Sequence, residues 1–548
     1  MASDTPQLRE KQMEQLAFYI REKKCLDLSD PGTGKTPPCC VLAYFVSRRE
    51  QGKTVWSMPK SLMKKNLKEM LRFTEFEKHE VEIMRTDRAN LTQDWTGPTI
   101  KSTRRVAYWE LEDGRKTNEL RSNKRLRLLY LNTEGVEVEL RTGKPPKQLK
   151  NPDAVVDYRV NPKRGPDGQP IKKWLDEPEE FKDLIQDAAQ RGVKVFICTF
   201  AFLSAHWQRL MEAAPEIDLF LVDELHMGYG GPESQQTDSF YWVNKHCTRF
   251  VGMTGTLING RLDTAFPAIH VIEPRYYGSY NGFIYDHAAM TDDYGRVTLW
   301  KNETKLRQII ERHSIARTFE EVYGKEDVVF FLEHIDVAED VRESYDKFHE
   351  EAMLELEDGS IIDGGSPGVA LIRARQLLNH PETMLKLKDE WTPKDEWVIN
   401  ELGNGRKTLL FASLQPEQER LLRLARSLGL RAELINANVN DKQRERIDEM
   451  AQAGELDVIV GSGPTVAVGF NWEMFDTVVF VSLDYMDTNI LQAYRRASRG
   501  SRTTTLRVVF LRYKDTIERK IYTIVEKKSA LANKIDPNRK LLTFEAYE

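Results

Sequence analysis

The chain is poor in cysteine and contains no long apolar run. Its 548 residues include five cysteines, at positions 25, 39, 40, 198 and 247, and no two of them form a CxxC pair. Zinc sites and a disulfide framework are therefore not expected, which fits a reducing compartment. Without an apolar run of about 20 residues, and without a signal-peptide core in "MASDTPQLREKQ", no membrane segment is predicted. We expect a soluble, cytoplasmic protein.

Excess charge of one sign is also lacking, because the net charge is only −5 at pH 7. The distribution is nevertheless uneven, since residues 101–173 carry 18 Lys and Arg against 10 Asp and Glu. This basic segment is either a solvated insertion or a surface that faces phosphates, and both interpretations stay open. The length predicts three or four domains, at about 150 residues each.

Among the features that are present, "SDPGTGKT" at residues 29–36 is the first to indicate chemistry. It lies between "KKCLDLSD", whose alternation predicts a strand, and "VLAYFVSRR", which predicts a buried helix. Strand, glycine turn and helix form the context of a nucleotide-binding loop, in which Gly32, Thr33 and Gly34 present N–H groups to phosphates. Lys35 is expected to contact the β- and γ-phosphates, and Thr36 to bind Mg²⁺.

This loop departs from the usual motif at its beginning and is followed by an unusual pair of residues. Ser29 stands where the first glycine is normally found, so a plain glycine turn is the alternative interpretation. Pro37 and Pro38 follow immediately. The first turn of a helix tolerates proline because its N–H groups have no intrahelical partner.

An acidic motif supports the nucleotide-site interpretation. "IDLFLVDELHMG" (residues 217–228) is an apolar run that ends in acids, as a buried parallel strand does at its carboxyl end. Asp223 is expected to hold Mg²⁺ through water, and Glu224 to orient and polarise the attacking water. The DELH sequence is close to the DEAH box of superfamily-two helicases. Downstream, Thr254 and Thr256 match the motif that couples hydrolysis to the nucleic-acid path in those motors, and this match implies nucleic-acid contacts by both residues.

Together these motifs resemble a Swi/Snf-type DNA translocase of helicase superfamily two, over most of the chain outside residues 85–175. "LREKQ" is similar to a family segment whose glutamine recognises adenine, which implies this role for Gln12. "VWSMPKSLMKKNLKEMLRF" and "VFICTFAFLS" resemble DNA-facing segments, which implies contacts by Lys60, Ser61 and Thr199. "LIRARQLLNHP" resembles a segment of the Swi/Snf branch and distinguishes the chain from ordinary RNA helicases.

The last third of the chain resembles the second lobe of the same motors. "KTLLFASL" is predicted to be a buried strand, and "RLLRLARSLGLRAELINA" alternates helix and strand periods. "IVGSGPTVAVGFNW" resembles a motif that grips the sugar-phosphate backbone, with Gly469 and Asn471 matching best. The resemblance implies nucleic-acid contacts by Ser413, Ser462 and Asn471.

"LQAYRRASRGSR" (residues 491–502) resembles the arginine-finger motif QAxxRxxR, with Gln492, Arg496 and Arg499 in register. Gln492 is expected at the nucleotide. Arginines three apart on a helix share one face, so Arg496 and Arg499 are expected to project together into the cleft between the lobes. There they would neutralise charge on the transferred γ-phosphoryl group. For this stretch alone, a basic helix on a solvated face is the alternative.

The resemblance implies an α/β fold with two RecA-like parallel-sheet lobes, a β-containing insertion in lobe one and a helical insertion between the lobes. Alternation around Gly135 predicts a hairpin within the first insertion. The implied activity is ATP hydrolysis with Mg²⁺ that moves a monomer along double-stranded DNA, branched DNA included. The expected boundaries are lobe one at 1–275, its insertion at about 85–175, a helical protrusion at 276–395, lobe two at 396–535 and a tail at 536–548.

Some residues depart from the family pattern and place the chain away from chromatin remodellers. Gly500, Ser501 and Arg502 stand where the family has Gly-Gln, and Tyr485 stands where it has tryptophan. These differences and the compact form favour a bacterial or viral origin. Three alternatives stay open: a strand-separating DNA or RNA helicase, the motor of a restriction or repair assembly, and a nucleotide-dependent switch that binds ATP without translocating.

Overall fold

A computed structural model describes most of the chain. The described residues are 6–110, 116–117, 128–131, 137–140, 155–156, 172–324, 326–356, 358, 360–387, 391–466, 470–498, 502–537 and 539–547. They fall into two compact units, Met1–Arg85 with Ala188–Glu548, and Thr86–Asp187. The larger unit contains two large parallel sheets. We call each of these sheets, with its flanking helices, a lobe.

The first part of the larger unit alternates helix and strand, as crossover connections between parallel strands require. Its elements are α1 (Glu10–Glu22), β1 (Lys24–Asp27), α2 (Thr36–Arg49), β2 (Lys53–Ser57), α3 (Lys60–Phe73) and β3 (Val81–Met84). The context predicted for the phosphate loop is confirmed, because β1 precedes residues 29–36 and α2 follows them. Pro37 and Pro38 lie in the first turn of α2.

The smaller unit is formed mainly by β-strands. Its elements, with the helix that follows, are β4 (Arg88–Asn90), β5 (Thr99–Glu110), β6 (Lys116–Thr117), β7 (Leu128–Leu131), β8 (Glu137–Leu140), β9 (Val155–Val156), β10 (Lys172–Asp183) and α4 (Leu184–Gln190). One sheet has the order β4-β10-β5-β6 and another β8-β7-β9. Antiparallel pairing of β7 with β8 confirms the predicted hairpin, although Gly135 lies outside the described residues. Most side chains of the basic segment 101–173 also lie outside them, so its role stays a prediction.

Lobe one continues after this unit. The elements are β11 (Val195–Cys198), α5 (Phe200–Ala213), β12 (Ile217–Asp223), α6 (Leu225–Tyr229), α7 (Gln235–His246), β13 (Arg249–Met253), α8 (Phe266–Ile272), α9 (Tyr280–His287), β14 (Ala288–Thr291), β15 (Val297–Trp300), α10 (Glu303–Arg312) and β16 (Ser314–Ile315). The sheet has the order β16-β1-β13-β12-β2-β11-β3, and its strands are parallel. Every residue of β2, β11 and β13 is buried, because helices cover both faces of the sheet.

Lobe two follows the same plan. Helix α11 (Phe319–Tyr323) comes first and contacts Asp30 and Gly32 of lobe one. The elements that follow it are β17 (Val328–Ile335), α12 (Glu339–Glu351), β18 (Met353–Glu355), β19 (Ile361–Asp363), α13 (Pro367–Asn379), α14 (Pro381–Met384), α15 (Pro393–Leu402), β20 (Thr408–Phe411), α16 (Gln415–Ser427), β21 (Ala432–Ile435), α17 (Asp441–Gln452), β22 (Val458–Gly461), α18 (Gly463–Val466), β23 (Thr477–Phe480), α19 (Asp487–Tyr494), β24 (Leu506–Tyr513) and α20 (Ile517–Ile535). Its parallel sheet has the order β17-β24-β23-β20-β22-β21. The predicted fold class is confirmed.

The two large sheets do not end at the expected boundaries. β16 lies at the edge of the lobe-one sheet, and β17 pairs with β24 from Val328↔Leu506 to Ile335↔Tyr513. Both strands come from the range 276–395, which was expected to be largely helical. Helices α12 and α13 of that range pack against each other in a small core that also includes Tyr513 of β24. The range therefore contributes to both lobes.

The C-terminal residues, expected to form a tail, are packed against the lobes. Leu542 and Phe544 are buried in the core of lobe two. Arg539 is buried as well, donates to the Ile258 carbonyl of lobe one at 3.0 Å and forms an ion pair with Asp487 of lobe two. Arg539 thus connects the two lobes.

The five cysteines are all buried. Cys39 and Cys40 lie on α2 in the lobe-one core, where burial raises the pKa of both thiols well above the ordinary range. Thiols that stay protonated behave as small apolar groups. Among the described helices, none combines the length and the apolar composition needed to cross a bilayer.

Candidate nucleotide-binding and hydrolysis site

The phosphate loop, residues 29–36, turns sharply between β1 and α2. Gly32 and Gly34 have φ angles of 89° and 93°, in a region that residues with a Cβ rarely adopt. Lys35 donates from its ammonium group to the carbonyls of Ser29 and Asp30, so its side chain folds over the loop. A cation, turned backbone groups and a helix N-terminus therefore meet here, and this combination binds polyphosphates.

Helix α1 contacts the phosphate loop and helps to hold it. Gln12 is buried and donates from Nε2 to the Gly34 carbonyl at 3.0 Å, while its Oε1 accepts the Arg9 N–H at 3.0 Å. Arg9 also donates to the carbonyl of Thr33 at 3.1 Å. Recognition of adenine by Gln12 stays a prediction. The amide retains a second N–H and a second lone pair with which to make that contact.

Asp223 and Glu224 lie at the carboxyl end of β12, where the sequence pattern puts them. Asp223 accepts hydrogen bonds from Asn66 Nδ2 and from the Glu224 N–H, both at 3.0 Å. Burial and, next, the charge of Glu224 raise the pKa of Asp223 to about 6. Glu224 has φ 50° and ψ 51°, a left-handed conformation that is uncommon outside glycine and concentrates at functional sites. Asn66 was not predicted from the sequence, where its only signal is an amide on the buried side of α3.

The carboxylate of Glu224 is suited to accepting a proton. Its Oε2 is buried, has no hydrogen-bond partner among the described residues, and lies 3.6 Å from His226 Nδ1. Burial raises the pKa of Glu224, and the charges of Lys35 and Arg496 oppose this rise. Lys35 belongs to lobe one and Arg496 to lobe two, so cations from both lobes act on one carboxylate. A buried carboxyl group of this kind suits a general base.

A hydrogen bond links the DELH motif to the Thr-Gly-Thr motif. His226 Nδ1 lies 2.8 Å from Thr254 Oγ1, which also accepts the Thr256 N–H at 3.0 Å. Burial lowers the pKa of His226 to about 4, so the imidazole is neutral at pH 7. Thr254 and Thr256 are both buried. This position fits the predicted coupling role, whereas direct contact of these residues with nucleic acid is incompatible with their burial in this structure.

The arginine motif of lobe two begins on α19 and leaves it. Gln492 is buried on the helix, and its Nε2 has no hydrogen-bond partner among the described residues, which fits its predicted place at the nucleotide. The helix ends at Tyr494, so Arg496 lies in the following turn and the expected shared helix face is wrong for it. The Arg496 carbonyl accepts the Trp472 N–H at 2.8 Å in place of a helical bond. Arg499 lies outside the described residues.

Arg495 contacts the phosphate loop, and sequence analysis missed it. Its Nη1 lies 2.6 Å from Asp30 Oδ1, across the two lobes. Both side chains are largely buried, with exposed fractions of 7% for Arg495 and 13% for Asp30. In "YRRASR" the family register selects the second of two adjacent arginines. Arg495, the first of the two, contacts a residue 465 positions away, and such a contact leaves no local sequence pattern by which it could be predicted.

Thr36 and Asp223 offer the kind of ligand that Mg²⁺ prefers. Thr36 is the first residue of α2 and Asp223 the last of β12. Hydroxyl and carboxylate oxygens are hard donors. The pKa of Asp223 is raised, and a nearby cation would stabilise the ionised form of this carboxylate. The residues present therefore fit a magnesium ion bound together with ATP.

Three other nucleic-acid residues predicted in lobe one lie at the N-termini of helices. Lys60 and Ser61 are exposed at the start of α3, and Lys60 Nζ forms a 2.7 Å ion pair with Asp441 of lobe two. Thr199 caps α5, with its Oγ1 accepting the Phe202 N–H at 3.1 Å. Lys60 and Ser61 are accessible to a phosphate backbone, whereas the Thr199 hydroxyl already has a structural role.

In lobe two, Ser413 and Ser462 line one cavity of about 330 Å³ at the carboxyl end of the sheet. Ser413 accepts a hydrogen bond at 2.7 Å from Arg375, which belongs to the "LIRARQLLNHP" segment on α13. Ser462 Oγ lies 2.6 Å from Thr465 Oγ1. Asn471 is exposed and does not line this cavity. The structure thus brings two of the three predicted residues together.

Comparison with curated proteins finds short regions of similarity. Chromodomain-helicase-DNA-binding protein 1-like of Danio rerio is 28% identical over 179 residues, which cover 30% of this chain and 17% of the relative. The protein of the same name from Mus musculus is 27% identical over 133 residues, covering 24% of this chain and 15% of the relative. The chain therefore spans less than a fifth of the length of these curated relatives.

A solved structure and a family model complete the comparison. The Sulfolobus solfataricus SWI2/SNF2 ATPase core in complex with dsDNA is 15% identical, with a TM-score of 0.36 and coverage of 99% of this chain and 96% of that one. Residues 393–501 match the helicase conserved C-terminal domain. This range begins at α15 and includes α19, where the arginine motif starts. Lobe two is therefore similar to the C-terminal lobe of helicases, as its motifs predict.

Proposed function

We propose that the protein hydrolyses ATP with Mg²⁺ and uses the energy to move along double-stranded DNA. The observation that carries this proposal is the contact of lobe two with the phosphate loop, where Arg495 Nη1 lies 2.6 Å from Asp30 Oδ1. In keeping with it, the charges of Lys35 and Arg496, one from each lobe, both oppose the rise in the pKa of Glu224. A site divided between two lobes makes the state of the nucleotide depend on how the lobes are arranged. The match to the helicase C-terminal domain and the similarity to relatives named as DNA-binding helicases support the choice of DNA.

In the proposed reaction, water attacks the γ-phosphorus and the bond to the β–γ bridging oxygen breaks, which gives ADP and phosphate. Lys35 releases the carbonyls of Ser29 and Asp30 and binds oxygens of the β- and γ-phosphates instead. Glu224 orients the water and accepts a proton from it. Arg496, with Arg499 as a predicted second group, neutralises charge on the γ-phosphoryl oxygens. Thr36 and Asp223 would hold Mg²⁺, which would supply further positive charge to the phosphate oxygens.

A continuous set of contacts is the proposed route from hydrolysis to movement. It begins at Glu224 and passes through the His226–Thr254 hydrogen bond to the loop that follows β13. That loop reaches Ile258, whose carbonyl accepts a hydrogen bond from Arg539 in the C-terminal segment. A change at the acidic end of β12 is thereby connected to a segment that contacts both lobes.

The proposed DNA contacts fall on phosphates. Lys60 and Ser61 of lobe one would bind one strand, and a phosphate would replace Asp441 as the partner of Lys60. Ser413 and Ser462, with Asn471, are the proposed contacts of lobe two. Phosphate contacts carry no base information, so binding should be independent of sequence and strongly weakened by salt. A monomeric state and a bacterial or viral origin are further parts of this hypothesis.

ATP hydrolysis measured at low salt with duplex DNA, single-stranded DNA and RNA tests the proposal. Duplex DNA is expected to stimulate most. Glu224→Gln is expected to lower kcat by about 10²–10⁴-fold while the variant still binds a fluorescent ATP analogue, because only the proton acceptor is lost. Stimulation by single strands or RNA alone would favour the strand-separating helicase. ATP binding without stimulation by any nucleic acid would favour the switch.

Translocation needs an assay separate from hydrolysis. Displacement of a third strand from a DNA triplex reports movement along duplex without strand separation. The proposal expects triplex displacement that depends on ATP and no unwinding of a simple duplex.

A further inference from the structure

Asp30 puts a negative charge within the loop proposed to bind a triphosphate. Its carbonyl accepts hydrogen bonds from Thr33 Oγ1 at 2.7 Å and from Lys35 Nζ at 3.1 Å, so the residue belongs to the framework of the loop. An unpaired carboxylate here would repel phosphate groups, and the repulsion grows where water is partly excluded. Tight binding of a triphosphate therefore requires a cation that neutralises Asp30.

Lobe two supplies this cation. Arg495 Nη1 lies 2.6 Å from Asp30 Oδ1, and Asp30 Oδ2 accepts the Phe319 N–H at 2.9 Å. Both carboxylate oxygens are thus engaged, which fixes the orientation of the group toward Arg495. Burial opposes the charge of Arg495, but Tyr494, Asp30 and Glu326 together hold the pKa of the guanidinium above its ordinary range.

The Arg495–Asp30 pair depends on the position of lobe two. Arg495 follows α19, whereas Asp30 follows β1. Loss of one partner from a buried ion pair leaves the other charge uncompensated, and this is costly. When the lobes separate, Asp30 loses its partner and the loop regains a negative charge. When they close, the loop becomes more favourable for phosphate.

We propose that Arg495 is a positioning residue that neutralises Asp30 when the lobes are together, and so makes affinity for a nucleoside triphosphate depend on lobe closure. The proposal rests on the proposed function in one respect, since it assumes that the phosphate loop binds ATP. Arg495 differs in role from Arg496 and Arg499, which are assigned to the phosphoryl group itself. Its partner is a side chain of the loop.

Binding of a fluorescent, non-hydrolysable ATP analogue to the full chain in the absence of DNA tests the proposal. Arg495→Gln is expected to raise Kd about tenfold, or about 1.4 kcal/mol, because Asp30 loses its ion-pair partner and only the charge of Arg539 still acts on it. Arg495→Lys keeps the charge and is expected to stay within about threefold of the wild type. Asp30→Asn alone is expected to bind at least as tightly as the wild type. Combined with Arg495→Gln, it should restore Kd to within about threefold, since no charge remains to be neutralised.

Arg507→Gln is the matched control, because it removes the lobe-two ion pair of Arg507 Nη1 with Glu401 Oε1 at 2.7 Å. It is expected to lower the unfolding midpoint, measured in parallel for every variant, without changing Kd. The proposal is overturned if Arg495→Gln leaves Kd unchanged, or if Asp30→Asn fails to rescue it. This binding assay contains no DNA. If DNA failed to stimulate ATP hydrolysis, the proposed translocation would be contradicted, but the role of Arg495 in binding the ATP analogue would not. A wild-type chain that binds no analogue would overturn both.

Discussion

In lobe one, β1 leads through Gly32 and Gly34 into α2; in lobe two, β20 leads through residues 412–414 into α16. Both turns connect a parallel strand to a helix, but they differ in the residues that bind phosphate, the glycines and the lysine. The lobe-one turn has two glycines with positive φ and ends in Lys35. The lobe-two turn, Ala-Ser-Leu, has neither glycine nor lysine.

The first turn of α16 also carries an acid. Glu417 is fully buried, its Oε2 accepts a 2.6 Å hydrogen bond from Ser482, and burial raises its pKa to about 7. A carboxylate at a helix N-terminus interacts with the same partial positive charge that a phosphate would use. Lobe two thus repeats the fold of lobe one but lacks its phosphate-binding residues. Lobe two instead contributes arginines from the end of α19, so each lobe provides what the other lacks.

Lys35→Ala should have the largest effect, because it removes the cation of the lobe-one turn. We expect Kd for the ATP analogue to rise about a hundredfold, which corresponds to about 3 kcal/mol for charge-assisted hydrogen bonds to phosphate. Gln415→Ala changes the first residue of α16 in the lobe-two turn and is the control. It is exposed and its side chain contacts Glu419, so no change in Kd is expected. Equal losses in both variants would contradict the assignment of phosphate binding to lobe one.

The lobe-one site could be predicted largely from sequence because its groups lie in short motifs at strand ends. Lys35 lies in the turn after β1, and Asp223 and Glu224 lie at the carboxyl end of β12. Parallel strands bring their carboxyl ends to one edge of the sheet. The strand β17 has a sequence signal as well. Its sequence "VVFFLEHI" is apolar and rich in β-branched and aromatic residues, which is typical of a strand, whereas the family resemblance implies a helical protrusion for the range that contains it.

The contacts that join the lobes could not be predicted in the same way. Arg495 and Asp30 meet only after both sheets have formed, and nothing local marks the first of two adjacent arginines as the partner. The end of α19 is likewise set by tertiary structure. Arginine and alanine favour helix, but the Arg496 carbonyl accepts the Trp472 N–H and the helix does not continue.

Glu417→Gln should have the next largest effect, and it depends on pH. Since the pKa of Glu417 is raised from 4.5 to about 7, the folded chain keeps a proton that the unfolded chain releases within this range. The wild type therefore loses stability as pH rises from about 4.5 through about 7. Glutamine carries no charge, so the variant should gain on the order of 2 kcal/mol relative to the wild type between pH 5 and pH 8.

Urea unfolding midpoints of both proteins at pH 5 and pH 8 measure this gain. Glu419→Gln, which changes an exposed acid of the same helix, is the control and should show no pH-dependent difference. The same gain at both pH values would mean that Glu417 is ionised throughout, and that the acid of the lobe-two turn does not titrate in this range.

Gly34→Ala should have a smaller effect that is confined to lobe one. A Cβ at this position would lie 2.7 Å from Arg9 Nη2 and Gln12 Nε2, and φ is 93°. Both the close approach and the left-handed backbone, which costs a residue with a Cβ about 1–2 kcal/mol, force the loop to shift. We expect Kd for the ATP analogue to rise about tenfold.

Gly429→Ala separates backbone strain from loss of the phosphate site. Gly429 follows α16 in lobe two, has φ 76°, and has no atom within 4 Å of an added Cβ. Alanine there bears the same kind of backbone cost in the opposite lobe, so stability should fall by about 1 kcal/mol while Kd stays constant. If Gly429→Ala weakened nucleotide binding as much as Gly34→Ala does, the higher Kd of Gly34→Ala would be explained by a general loss of stability. The glycine of the lobe-one turn would then have no special part in holding phosphate.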